Sequence, residues 1–179
     1  HLVYNTDASV LAPHLQEVVH ILDKLLSFDV SDTAAQHSGS LIVTIFTRFP
    51  NEIQGMVPVI LKAVTGKLIQ AKNMATSQNL LFVFCYLTCV DAQQTVDFLS
   101  AMNIEQRDKS ALSLIIEKWL DSFQEIRGET RAKENVLALS KLFFLNDARL
   151  AEMRVNGDII PYQGNQIITR SKAKQMPDK

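Results

Sequence analysis

Cys85 and Cys89 lie four residues apart, a spacing that sets two thiols on one helix face and could supply a pair of metal ligands. They sit around Leu81-Phe82-Val83-Phe84, the most apolar helical stretch, with no His or acid beside them. Burial as small hydrophobes is the role those surroundings favour. His1, His14, His20 and His37 are scattered. His14 and His20 fall on different sides of one helix and cannot share a metal. Ser38-Gly39-Ser40 has the residue types of a nucleophile turn or a phosphate loop, but not the preceding strand that either chemistry needs. Gly39 suits a close approach of two helices instead. No Gly-rich phosphate loop, HExxH or pair of catalytic carboxylates occurs. The expectation is a protein without catalysis, cofactor or metal.

Glu117, Asp121 and Glu125 recur at i, i+4 and i+8 opposite the apolar face made by Leu112, Ile115, Ile116, Trp119, Leu120, Phe123 and Ile126. Such a carboxylate stripe could receive a Lys/Arg-rich partner, with Trp119 anchoring the helix beneath it. It could equally be the charged face that any amphipathic helix shows to water.

These residues need helices to position them, and the periodicity predicts seven. They run over Pro13 to Phe28, Thr33 to Arg48, Asn51 to Lys72, Met74 to Val90, Gln93 to Met102, Lys109 to Arg127 and Thr130 to Leu145, with a stub over Asp147 to Met153. Pro13 suits a first turn, and Gly128 a helix stop. The links are short, so neighbours should pack antiparallel. No strand signal precedes residue 155.

Two segments repeat. Leu11-Ala12-Pro13-His14-Leu15 lies over Met56-Val57-Pro58-Val59-Ile60 with the prolines in register, and Leu41 to Phe46 over Leu80 to Cys85. The separations fall near the roughly 40–47 residues of HEAT and armadillo units. A third pair would be Gln93 to Met102 with Lys109 to Arg127. The helices with apolar residues nearly all round, Met74 to Val90 and Thr130 to Leu145, should be the best buried. A compact bundle is the alternative to a repeat.

Composition agrees. Of 179 residues, 47% are apolar, enough for a large core and against global disorder. Lys and Arg number 18 against 19 acids, which argues against a nucleic-acid binder relying on bulk charge. Six Gly and five Pro are too few for a turn-rich β fold, and two Cys exclude a disulfide framework, as in a reducing compartment. The apolar run from Leu80 to Leu87 is far short of the roughly 20 residues of a membrane span. The chain opens on His1 and has the look of a piece of something longer. Repeats should fill residues 1–153. Residues 154–179 should form a polar loop, with Asp158-Ile159-Ile160 and Gln166-Ile167-Ile168 able to pair as a small hairpin before a basic tail. That tail is either a partner-binding arm or a solvated link.

The end of the chain carries a resemblance. Asp147-Ala148-Arg149-Leu150, then Arg154-Val155-Asn156-Gly157-Asp158, then Thr169-Arg170-Ser171-Lys172 with Ala173-Lys174, resembles the importin-β (karyopherin-β) superfamily. It looks most like the importin-nine branch and its fungal relatives, and the importin-eleven branch has a similar stretch. The resemblance implies an all-α HEAT-repeat right-handed superhelix of about four antiparallel helix pairs, each with an outer first helix and an inner second helix. It implies a nuclear transport receptor that shuttles between cytoplasm and nucleus and binds basic cargo such as core histones and the TATA-box-binding protein. Ran–GTP would govern release, mainly through parts outside this chain, and nucleoporins would be further partners. Neither nucleic acid nor membrane would be bound directly. Within it, Arg170, Ser171 and Lys172 form the loop motif. Glu117, Asp121 and Glu125, on the second helix of their pair, become candidate cargo contacts. The rival reading is a HEAT-repeat scaffold subunit of a signalling or chromatin complex.

Overall fold

Side chains that can accept from free N–H groups start most of the helices. In a computed structural model, residues 7–102, 104 and 109–154 are described, and no strand occurs among them. A short turn α1 (Ala8–Leu11) and a 3-10 turn holding Pro13 lead into α2 (Leu15–Leu26). Ser31 caps α3 (Asp32–Ala35), which is followed by α4 (Ser38–Arg48). Pro58 occupies the first turn of α5 (Val57–Gln70). Asn73 caps α6 (Met74–Val90), Asp91 caps α7 (Ala92–Ala101) and Ser110 caps α8 (Ala111–Phe123). Gly128, at φ +89°, opens α9 (Glu129–Phe144), and Asp147 caps α10 (Ala148–Ala151).

Helices α2, α5 and α8 stack side by side as one layer, and α4, α6 and α9 as a second. The first two pairs are therefore α2 with α4 and α5 with α6, as the repeat in the sequence predicts. The third is not. Helix α8 packs on α5 and α9 packs on α6, so the third unit is α8 with α9, and α7 is an extra helix wedged against α6, α8 and α9. This corrects the pairing of Gln93 to Met102 with residues 109–127, and it makes α8 a first helix rather than a second one. The physical reason is burial. The short α7 encloses only Thr95, Val96 and Leu99, whereas α8 buries Leu112, Ile115, Ile116 and Trp119, a face wide enough to close the layer.

Contacts between units repeat with the fold. Lys67 of α5, only 3% exposed, donates to the carbonyl oxygens of Ser27 and Val30 after α2, and Lys118 of α8 donates to the Ala71 carbonyl after α5 at 2.8 Å. Each lysine ties its unit to the turn inside the preceding one. Asp32 adds to the first junction by accepting from the backbone N–H groups of Lys72 (2.8 Å) and Asn73 (3.0 Å).

Helix α6 is enclosed by α3, α4, α5, α7, α8 and α9, and its Leu80, Val83 and Phe84 are wholly buried. The expected burial of α9 is not found. Asn135, Ala138 and Leu142 face inward, while Val136, Leu137, Phe143 and Phe144 are exposed because no described element packs on that side. Phe143 and Phe144 meet edge to face with ring centroids 5.4 Å apart. The helix predicted from Asn51 starts only at Val57, where Pro58 fits, and the one predicted from Thr33 is broken at Gln36-His37.

Candidate functional site

The acidic stripe depends on α8. Ser110 accepts from the Ser113 N–H at 3.2 Å and starts the helix, and burial of Leu112, Ile115 and Trp119 fixes its rotation. The Trp119 indole N–H donates to Asn135 Oδ1 of α9 at 2.6 Å, and the Asn135 amide donates in turn to the Arg131 carbonyl at 2.8 Å. Trp119 thus fixes two helices rather than one.

The helix brings Glu117 and Asp121 onto one face. Glu125 lies beyond its end, in the turn after Phe123, where its N–H donates to the Ser122 carbonyl at 3.1 Å. Two of the three carboxylates have local cations. Lys109 Nζ lies 2.6 Å from Glu117 Oε2, and Arg127 lies 3.5 Å from Glu125 Oε2. Asp121 is exposed and has no ion pair among the described residues. Arg170, Ser171 and Lys172 lie outside the described residues.

The thiols follow their surroundings. Cys85 is buried and its pKa is pushed up to about 12 by burial; burial also raises that of the half-buried Cys89. Both are neutral, weakly reactive groups near pH 7. Among the described residues no group of three or more His, Cys, Asp or Glu gathers that could hold a metal ion. His14 makes an exposed contact with Glu17 at 3.0 Å. Gly39 has the expected packing role: a Cβ there would stand 1.8 Å from the Asn79 carbonyl oxygen, so only glycine lets α4 approach α6 this closely.

Sequence reasoning missed two polar clusters. In the first, Ser40 and Asn79 exchange hydrogen bonds, and Arg131 of the third unit donates to Ser40 Oγ at 3.2 Å while its guanidinium lies 3.8 Å from the centroid of Phe82. The 39-residue separation of Ser40 and Asn79 matches the repeat offset and was the available signal. In the second, Arg149 bonds Asp147 and Asp97, both at 2.6 Å, so the Asp-Ala-Arg-Leu step docks α10 onto α7. The bonds from Arg149 hold both carboxyls below the usual range.

The comparisons with known proteins extend over the whole chain rather than its end alone. A family model described as importin-11-like, TPR repeats, matches residues 5–159. The chain belongs to that family. It is 53% identical over its full length of 179 residues to importin subunit beta-5 of Saccharomyces cerevisiae, of which it covers 18%. It is 23% identical over 164 residues to importin subunit beta-5 of Schizosaccharomyces pombe, with 92% of this chain and 16% of that protein aligned. It is 28% identical over 111 residues to importin-9 of Drosophila melanogaster, covering 62% of this chain and 11% of that one. The chain therefore spans less than a fifth of the length of these curated relatives.

The resemblance to the importin-β superfamily, with fungal and importin-nine relatives, is thereby confirmed. The all-helical layers agree with a helical-repeat solenoid. The family description names TPR repeats. The bonds of Lys67 to Ser27, Ser40 to Asn79 and Lys118 to Ala71 join residues 40, 39 and 47 positions apart, nearer the HEAT spacing than the 34 residues of a TPR.

Proposed function

We propose that this importin-family chain is part of a nuclear transport receptor that works by binding alone and carries basic protein cargo between cytoplasm and nucleus. Membership of the importin-11-like family is the observation that carries this reading. Core histones and the TATA-box-binding protein are the cargo class it suggests, with Ran–GTP controlling release through the complete receptor and nucleoporins met in transit. The two layers of helices support it, since stacked units offer the extended surface that a large cargo needs.

Because α8 is a first helix, in the layer that the resemblance puts outside, its carboxylates would meet cargo on the outer face rather than the inner one, Asp121 first. Glu117 and Glu125 join only where cargo cations displace Lys109 and Arg127. Each such exposed pair contributes about 0–1 kcal/mol, so these residues steer and tune rather than hold. The rival reading is a scaffold subunit, whose evidence would be a permanent partner seated on the exposed Phe143 and Phe144.

The test is import of labelled core histone dimers into the nuclei of permeabilised cells, with the complete receptor and Ran–GTP supplied. Receptor-dependent accumulation is expected. No accumulation, together with a stoichiometric subunit co-purifying on the Phe143–Phe144 face, would establish the scaffold instead.

A further inference from the structure

A cavity of ≈ 230 Å3 opens where all three units meet, between the break before α4, the first turns of α6, and the α8–α9 link. Its wall carries Arg127, Arg131, His37, Gln78, Asn79 and Asn135 and, among the described residues, no Asp or Glu. Arg131 is half-buried and makes no ion pair among the described residues; its contacts are Ser40 Oγ and the Phe82 ring. Arg127 stands at the rim, exposed, with Glu125 3.5 Å away. The side-chain nitrogen of Gln78 is buried without a hydrogen-bond partner.

The backbone adds to the same sign. His37, the residue before α4, gives that helix no side-chain cap, and Gly128 gives none to α9. Ala75 and Gln78 of the first turns of α6 line the wall as well. Two helix starts without a side-chain cap, those of α4 and α9, thus add partial positive charge beside two guanidinium groups, whereas the start of α6 is capped by Asn73. The half-buried Arg131 meets no carboxylate among the described residues, which leaves guanidinium donors for an anion entering the cavity.

We propose that this cavity binds a phosphate group. Two guanidinium groups and several side-chain amide donors match a tetrahedral dianion better than a single carboxylate, because each of its oxygens can accept more than one bond. The volume exceeds that of one phosphate, leaving room for the stem of a phosphorylated side chain. The ligand is either free phosphate or a phosphorylated segment of a partner. This inference does not rest on the cargo reading above, which concerns carboxylates rather than guanidinium groups, although the two adjoin where Arg127 meets Glu125.

The test is a nuclear magnetic resonance titration of the 179-residue chain at constant ionic strength. Three probes are used: inorganic phosphate, a short peptide carrying one phosphoserine, and the same peptide unphosphorylated. Saturable shifts are expected at the side-chain amides of Gln78, Asn79 and Asn135. Arg127→Gln and His37→Gln should each weaken binding about tenfold, the loss of one charge-assisted bond, and Arg127 is exposed enough for its variant to fold. Tighter binding of the phosphopeptide than of phosphate would identify a partner-borne group, and equal binding the free ion. The proposal is overturned by the absence of saturation with both phosphate probes. Equal binding of the unphosphorylated peptide, or shifts unchanged in both variants, would overturn it too.

Discussion

Ser40 and Asn79 hold each other through two hydrogen bonds. The Ser40 N–H donates to Asn79 Oδ1 and the Asn79 amide donates to Ser40 Oγ, both at 2.9 Å. The pair joins equivalent positions of successive units and sits beside Gly39, where the α4 backbone meets the Asn79 carbonyl. One residue of side-chain bulk at position 39 would drive the helices apart and break both bonds. Gly39→Ala should therefore destabilise the chain by about 3 kcal/mol despite the better helix propensity of alanine. Urea unfolding checks this, and a loss under 1 kcal/mol would show that α4 can move away from α6 at little cost.

The first junction should be acid-sensitive. N–H groups of Asn73 and Lys72 hold the Asp32 carboxyl below its ordinary 3.8, with Lys67 adding a smaller effect. A depressed carboxyl contributes stability that is complete above its unfolded pKa and is lost as pH falls through its folded one. Stability should fall below about pH 4, and Asp32→Asn should flatten that part of the profile while lowering stability at pH 7. Identical slopes for the two proteins between pH 2 and 4 would contradict it.

Trp119→Phe keeps most of the buried ring but removes the donor to Asn135. Asn135 is 6% exposed, so its oxygen would be left without a partner. A loss of about 1–3 kcal/mol is expected. Adding Asn135→Leu should recover part of it, a coupling that a double-mutant cycle would measure.

The three carboxylates should not be equivalent. In the complete receptor, Asp121→Asn should weaken cargo binding at low salt more than Glu117→Gln or Glu125→Gln, since the latter two already have Lys109 and Arg127. The effect is at most about 1 kcal/mol and should vanish in high salt. Equal affinities for all four proteins at low salt would remove this surface from the cargo contact.

Most of the helices were legible because their signals are local. The apolar stripe of α2 has one spacing throughout and α8 has the wide apolar face read from its sequence, whereas the start at Pro58 was not read. The pairing of units was legible only for the first two. Sequence order made α7 the partner of α8, but a layer is chosen by which face buries most, and that is settled between helices far apart in the chain. The exposed side of α9 was hidden for the same reason: Val136, Leu137, Phe143 and Phe144 look like core until their neighbours are known. The cavity was invisible, because Gln78, Arg127 and His37 lie far apart in sequence and no periodicity links them.

The enclosure of α6 has a mechanical consequence. A solenoid flexes when neighbouring units slide or rotate, and here that would require α4 and α9 to slip along opposite sides of one helix. Gly39 seats the first contact without slack, and Arg131 reaches from the third unit across Phe82 to Ser40 of the first. Strain applied to this stretch would be shared across all three units at once. Within a longer spring of such units, these residues would behave as a stiff splint, and curvature would change on either side of it.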